Sequence, residues 1–470
     1  VIPSMKIYVL GWLGAIKLYP YHVPGSVFIV FMEPYRKELT MYNKNYISVG
    51  IDVGSAFSFM TIVAPDGSVI QKPFKITHNK PDSLEKAVSA IKKAEELHSL
   101  ESRTFLESTG IYHFPLFCYL VDCGFHVSII NPIITHSANN TSIRKVKNDK
   151  VDSIGIAKLG LSGDIPVSQF PAKLVLEIRS LTRKYYDLTD ERSAHINKLK
   201  GDLHTVFPQY LDIFCDVTGK TSTMILRQYG TPDKILRGHK KTMIEKISKA
   251  SRKGLSKAAE RYEKLCAAAT AAKTFGCQID SIYFNISLTL DLIEKLDSAL
   301  DSILQRIHQL VTFNKSEKFI QQIKWLDTIK GVGFLTAVTI MCEIGDFSAF
   351  RNPKQLFAYF GLDPEVNQSG KFVGTEMHMT KRGSRIARRA VFAVALASIR
   401  TKRNGEGINP YLREYYEKKS GQKPKMVALG AVMHKVCNII FAVLRDEKEF
   451  ELRSPEEHCR QYQRPALQAA

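Results

Sequence analysis

Acidic residues are the scarce charge in this 470-residue chain: 46 Asp and Glu stand against 66 Lys and Arg, for a net charge of +20 and a pI near 9.4. An excess of this size disfavours basic partners and directs attention to polyanions, nucleic acid ahead of anionic membrane. Cysteine is sparse and unpatterned. The eight residues at 118, 123, 215, 266, 277, 342, 437 and 459 form no Cys-x-x-Cys and no metal-ligand spacing. That argues against a zinc or thiol-redox centre and reads as reduced core residues of a cytoplasmic protein. A membrane span is not expected near the start either. The run MKIYVLGWLGAI could pass for a short signal peptide, yet no small-residue cleavage site follows it, and Lys17, Pro20, His22 and Pro24 interrupt it.

What is present fits a large globular protein. Hydrophobic residues at 44% and charged residues at 24% are ordinary values, and the length calls for two or three domains. The chain begins with Val, and RKELTMYNKNYISVGID sets Met41 just ahead of the first well-patterned strand. We therefore expect translation to begin at Met41 and residues 1–40 to be an upstream extension outside the fold.

From residue 46 the pattern is β-rich. YISVGIDVG, SFMTIVA and SVIQKPFKI are β-branched and aromatic runs, with PDG as a turn between the second and third, and predict a three-stranded meander. A helix is expected over PDSLEKAVSAIKKAEELHSL, begun by a Pro-Asp-Ser cap, then a strand RTFLES, a helix over YHFPLFCYLVDCG and a strand HVSII. A meander followed by alternating helix and strand implies a mixed α/β sheet over 41–165. Residues 166–325 change character: helical periodicity runs through LVLEIRSLTRKYYDLTDERSAHINKLKGDLHTVF and FNISLTLDLIEKLDSALDSILQRIHQLV, as in an antiparallel coiled-coil arm. Such an arm serves equally as a spacer or as a dimerisation surface.

A mainly helical C-terminal domain is expected over 326–450, with 451–470 as a flexible tail. Its segment LDTIKGVGFLTAVTIMCEIGDF places Gly331 and Gly333 between two helical patterns, which reads either as a helix-hairpin-helix whose amides approach a phosphate or as a plain helical turn. Between 371 and 425 there are fourteen Lys and Arg against four Glu, half of the total net charge. Lys371, Lys381 and Arg382 lead into Arg385, Arg388 and Arg389, which recur at helical spacing opposite Val391, Phe392 and Leu396. This face can be solvent decoration, but its density beside the glycine hairpin points to phosphate contact. Ser384 reads as the cap of that helix.

Against this basic background four carboxylates stand out. Asp149 and Asp152 in KVKNDKVDSIGIAKLG, taken alone, read as a solvated helix end paired with Lys147 and Lys150. Asp52, however, closes the first strand, and Glu107 ends a strand expected to run beside it. A buried acid at a strand terminus is costly unless it binds something. Four convergent carboxylates suit hard divalent cations, and two such ions can activate a nucleophile and stabilise a leaving oxygen at a phosphodiester.

The order strand-Asp, strand-Glu, helix-Asp-x-x-Asp resembles the RuvC-like branch of the ribonuclease-H fold. The phrases FLESTGIYHFPL, VSIINP, KNDKVDSIGIAKL, LDTIKGVGFLTAVTI, QLFAYFGLDPEVNQSGK and TKRGSRIARRAV are similar to those of DEDD-type insertion-sequence transposases, the group of the pilin-gene invertase and the bridge-RNA-guided recombinases. The resemblance runs from about Tyr46 to Arg445. It implies a DEDD tetrad of Asp52, Glu107, Asp149 and Asp152 holding Mg²⁺, and a serine nucleophile in a Ser-Gly step, which lands on Ser369. It further implies donor and target DNA as substrates, a structured noncoding RNA as guide, a homodimer or homotetramer with composite sites, and residence at the prokaryotic nucleoid.

Rival readings make different demands. VGIDVGSAFSFMTIVAPDGSVI also resembles the first phosphate motif of actin-like sugar kinases, but no second copy and no glycine-rich adenosine segment follow. A nonenzymatic DNA-binding protein would need the arginines and not the acids. A RuvC-like Holliday-junction resolvase would need the acids and not Ser369.

Overall fold

The first strand, β1 (Ile47–Val53), alternates Ile47, Val49, Ile51 and Val53 with Ser48, Gly50 and Asp52, the period of a strand covered on both faces by different surroundings. The computed structural model describes residues 45–107, 111–130, 135, 148–162, 173–365, 368–369, 372–373 and 378–462. It divides into two units, Val1–Ser168 and Gln169–Ala470. The expected upstream extension, residues 1–40, lies outside the described residues, as do Lys147, Lys371 and residues 463–470.

In the first unit β1 pairs antiparallel with β2 (Phe57–Val63), and β2 antiparallel with β3 (Val69–Thr77). On its other side β1 runs parallel to β4 (Ser102–Glu107), which runs parallel to β5 (His126–Ile130). The strand order is β3-β2-β1-β4-β5, so the expected mixed sheet is present. One face is covered by α1 (Pro81–His98) and α2 (His113–Asp122), whose Ala87, Ile91, Leu116 and Leu120 pack on Ile47, Val49 and Ile51. Each such buried aliphatic side chain contributes about 1.5–3 kcal/mol. The opposite face carries α3 (Asp149–Ser162), with Ile156, Ala157 and Leu161 packed against Val63 and Phe105. The expected Pro-Asp-Ser cap is not a side-chain cap: Lys80 occupies that position without a capping bond, Pro81 needs no N–H partner, and the Ser83 hydroxyl instead accepts from Thr77 N–H at 2.9 Å.

In the second unit the helical pattern is realised as two 34-residue helices, α4 (Lys173–Val206) and, later in the chain, Asp280–Phe313. Glu177 pairs with Arg306 and Arg192 with Asp297, so position rises along one helix as it falls along the other, and the pair is antiparallel. Pro208 stops α4, since a helix seldom continues past the residue before a proline. Five shorter helices follow, α5 (Tyr210–Ile213), α6 (Lys220–Gln228), α7 (Pro232–Arg237), α8 (Lys240–Ser251) and α9 (Leu255–Thr274), before α10, the Asp280–Phe313 helix. They close a core of Leu199, Leu203, Tyr210, Leu265 and Ile286.

The remaining helices are α11 (Lys318–Asp327), α12 (Phe334–Ile344), α13 (Pro353–Tyr359), α14 (Arg385–Ser398), α15 (Pro410–Ser420), α16 (Lys425–Asp446) and α17 (Pro455–Tyr462). By length and composition α16 is apolar enough to cross a membrane. It is instead packed into a separate core formed with the other C-terminal helices, with Val432, Val436, Ile440 and Leu444 buried at four-residue spacing. The same core takes in Ile178 and Ile307, so the long pair and the C-terminal helices share apolar packing.

Candidate active site and nucleic-acid interface

The face of the first sheet that meets α3 is built from small and polar residues. Ser48 Oγ donates to Ala157 O at 2.6 Å, Tyr46 OH to Gly160 O at 2.8 Å, and Thr61 Oγ1 shares a 2.7 Å hydrogen bond with Ser153 Oγ. Gly50 is a glycine because nothing else fits: a Cβ there would stand 2.3 Å from both Ser153 O and Ala157 N. Read along β1, Ser48 faces Ala157 and Gly50 faces Ser153, so each strand step of two residues moves toward the start of α3. The next residue on this face is Asp52, at the level of the first turn that carries Asp149 and Asp152.

Two neighbours corroborate the level. Asp52 is opposite Phe59 on β2, and Lys150 Nζ lies 5.9 Å from the centre of the Phe59 ring. On β4, Phe105 is the residue a side chain at Gly160 would strike, at 2.4 Å, so Phe105 and, two residues on, Glu107 face α3. Ile51 pairs with Leu106, which puts Asp52 and Glu107 side by side on adjacent parallel strands. The local reason for the helix start is Asn148, whose Oδ1 accepts from Lys150 N–H at 3.1 Å. Asp149 and Asp152 in the first turn also favour the positive end of the helix dipole.

Asp52, Glu107 and Asp152 are half-buried and Asp149 is exposed. Strand alternation turns Asp52 and Glu107 to the sheet face that carries α3, but among the described residues no three His, Cys, Asp or Glu stand together closely enough to hold a metal ion. The donor set is all carboxylate, the chemistry that suits a hard, oxygen-seeking divalent cation.

In the second unit, Ser369 belongs to a two-residue strand, β6 (Gln368–Ser369), paired antiparallel with β7 (Phe372–Val373), with Ser369 opposite Phe372. The base of this hairpin is clamped. Glu365 N–H donates to His378 O at 2.8 Å, Thr380 N–H to Asp363 O at 2.9 Å, and Thr380 Oγ1 to Asp363 Oδ1 at 2.7 Å.

The basic candidates divide into two groups. Lys381, Arg382 and Arg385 are exposed. Arg388 is directed inward, donating to Phe360 O and Gly383 O at 3.1 Å each, and burial lowers its pKa. Arg389 pairs with Asp190 at 2.7 Å and lies over the Tyr186 ring, tying α14 to α4. Ser384 caps α14 as expected, accepting from Ala387 N–H at 3.1 Å. Gly331 has φ +105° and would bring a Cβ within 2.3 Å of Ser398 Oγ, so its role is a close crossing, whereas a Cβ on Gly333, at the start of α12, would meet nothing within 4 Å.

One buried group escaped sequence reasoning. Glu343, near the end of α12, accepts from Arg183 on α4 through both carboxylate oxygens, at 2.9 and 3.0 Å, while Arg179 Nε donates to Cys342 O at 2.6 Å and Tyr359 OH to Glu343 O at 3.0 Å. Burial pushes the Glu343 carboxyl up, but hydrogen bonds from Arg183 and Ser384 outweigh it and hold the group below the ordinary carboxylate range. The available signal was a single acid inside the apolar run TIMCEI.

Comparison with known proteins places both units in one lineage. Residues 49–208 match the DEDD transposase model of IS110, and residues 323–417 match the transposase model of the IS116/IS110/IS902 family. An IS116 insertion-element protein of Streptomyces clavuligerus is 24% identical over 413 residues, 87% of this chain and 97% of its own length. An IS110 insertion-element protein of Streptomyces coelicolor is 22% identical over 342 residues, 71% of this chain and 79% of its own. The pilin gene-inverting protein of Moraxella bovis is 29% identical over 159 residues, 33% of this chain and 47% of its own.

Proposed function

This chain belongs to the IS110 family of insertion-sequence transposases, and from that membership we propose that it cuts and rejoins DNA strands by a carboxylate-held metal and a serine nucleophile. The observation that carries the proposal is the register of Ile51 opposite Leu106, which sets the next residues, Asp52 and Glu107, on neighbouring parallel strands and on the face that carries the helix beginning with Asp149 and Asp152. The meander followed by helix and strand in alternation supports a RuvC-like reading of the first unit. The turn at Gly331 and Gly333 between α11 and α12 supports a helix-hairpin-helix reading in the second.

Asp52, Glu107, Asp149 and Asp152 would hold a magnesium ion, which when bound polarises the scissile phosphate and favours a deprotonated nucleophile. The Ser369 hydroxyl attacks phosphorus: the serine O–P bond forms, the bond to the leaving DNA oxygen breaks, the serine proton is lost to a base and the leaving oxygen takes one up. The phosphoserine conserves the bond energy, and a second DNA end reverses the step, so exchange needs no ATP. Exposed Lys381, Arg382 and Arg385 hold backbone phosphate, with Lys371 assigned to the same role. The partners proposed are donor and target DNA, a structured noncoding RNA whose base pairing selects them, and further copies of this chain in a homodimer or homotetramer.

Two substitutions test the reading. Ser369→Ala should abolish the denaturant-resistant protein–DNA adduct, and Asp149→Asn should abolish metal-dependent cleavage while DNA binding persists. Cleavage that survives Ser369→Ala without any adduct would replace the recombinase by a resolvase, and cleavage that survives both would overturn the site. Recovery of a discrete RNA with the purified protein tests the guide.

A further inference from the structure

Beside the turn that carries Gly331, the second unit has an open surface hollow of about 370 Å³ lined by Ile399, Arg400, Thr401, Arg413, Tyr416 and Glu417. The size falls in the range of about 300–1,000 Å³ usual for small-ligand sites. We propose that this hollow receives a single guanine nucleotide turned out of its stack in a bound nucleic-acid strand.

The walls are preformed. Residues 400–408 make a small hairpin, with Ile408 N–H donating to Arg400 O at 2.9 Å, Lys402 N–H to Glu406 O at 2.7 Å and Thr401 bridging Gly407. Its foot is Asn409, 2% exposed, which donates through N–H to Ser398 O at 3.1 Å and accepts from Leu412 N–H at 3.2 Å, capping α15. Ser398 in turn donates its hydroxyl to Lys330 O at 3.1 Å and is the residue against which Gly331 packs. The hairpin, the glycine turn and the two helix ends are therefore one braced piece, the kind of support a preorganised site requires.

The lining chemistry selects the occupant. Arg400 is an exposed guanidinium at the base of a hairpin that also carries Lys402 and Arg403, a natural holder of phosphate. Tyr416, half-buried with its side chain packed on the helical core, leaves part of an aromatic surface lining the hollow, on which a base can stack. Glu417 decides between a bare anion and a nucleotide. It holds Arg413 Nε through Oε1 at 2.8 Å, so its charge would oppose a free phosphate, while its remaining acceptor capacity suits an N–H donor. Guanine carries N1–H and N2–H₂ side by side on one edge, the donor pattern a single carboxylate matches best. The inference rests on the reading that this unit contacts nucleic acid, and it does not depend on strand cleavage.

The test uses the full chain, titrated by calorimetry or ligand-observed NMR with dGMP, GMP, dTMP and inorganic phosphate. At least one guanine nucleotide should bind about tenfold more tightly than dTMP and than phosphate, the discrimination expected of a matched base edge; the ranking of dGMP against GMP tells whether the strand is DNA or RNA. Arg400→Ala should weaken binding about tenfold, and Glu417→Gln should erase the preference for guanine, both with unchanged melting temperature. Phosphate binding as tight as the guanine nucleotides, equal binding of dTMP, or indifference to both substitutions would overturn the proposal. Guanine-nucleotide binding by the Asp149→Asn chain, whether or not the wild-type chain cleaves DNA, keeps this result separate from the fate of the recombinase reading.

Discussion

Glu343 and Arg183 form a two-point ion pair in which the acid is almost wholly enclosed, 2% exposed, and the guanidinium half open, 51% exposed. Because the folded pKa of Glu343 is depressed, the pair's contribution is complete above the ordinary value near 4.5 and is lost as pH falls through the lowered one. Removing the guanidinium by Arg183→Ala leaves burial, the largest influence on the carboxyl, opposed only by the Ser384 hydrogen bond and the Arg179 charge. Its folded pKa should then rise above the unfolded one, and the variant should lose stability as pH climbs through that value, the opposite of wild type. Denaturant melts from about two units below the ordinary carboxylate value up to neutral pH read the sign on both limbs. At neutral pH the cost should be about 1–3 kcal/mol, toward the lower end because Arg183 is half open.

Arginines of one short helix should separate into two behaviours. Arg388 satisfies the carbonyls of Phe360 and Gly383, so Arg388→Ala should destabilise by about 1–3 kcal/mol. Arg385 is exposed, and Arg385→Ala should leave stability within about 0.5 kcal/mol. If it contacts one phosphate, that same change should lower the slope of log affinity against log salt by about 0.9. A salt slope unmoved by Arg385→Ala would remove this residue from the interface.

These contrasts mark where sequence reasoning succeeds and fails. The meander, the helix-strand alternation and the antiparallel long helices were legible because period and turn residues are local properties. So was the Ser384 cap, three residues from its partner. Alternation along β1 sets Gly50 and Asp52 on one face, and strand order puts Asp52 and Glu107 on neighbouring strands, while the tetrad with Asp149 and Asp152 remains a proposal. Arg388 and Arg389 were not separable from Arg385, since their partners lie 28 and 199 residues away. The same holds for Glu343, whose partner Arg183 is 160 residues earlier in the chain. Asp149 and Asp152 also have a structural role: as first-turn acids they favour the start of α3 whatever else they bind.

The hydroxyl pair between sheet and helix permits a double-substitution test. Thr61 and Ser153 are both fully buried and share one 2.7 Å bond, with Ser153 Oγ also able to donate to Lys150 O at 2.9 Å. Ser153→Ala should cost about 1–3 kcal/mol by leaving Thr61 Oγ1 without that partner. Thr61→Val added to it removes the stranded group, so the double variant should be less destabilised than the sum of the two single changes. Chemical denaturation of the four proteins measures the coupling, and simple additivity would show that the hydroxyls do not act as a unit.

The two glycines of the GVG turn should respond differently to the same methyl group. At Gly331 the backbone has φ +105° and the added Cβ would meet Ser398 Oγ at 2.3 Å, so Gly331→Ala should lower stability by about 1–3 kcal/mol. Gly333 has an ordinary φ of −115° and open space around its missing Cβ, so Gly333→Ala should cost under about 1 kcal/mol as a capping-position change. That open space lies before the first amides of α12, where a phosphate oxygen would approach. If the turn holds the DNA backbone, Gly333→Ala should weaken duplex binding severalfold at nearly unchanged melting temperature, because the methyl stands where the phosphate must come. Duplex affinity equal to wild type would assign the turn to packing alone, through Gly331 and Ser398.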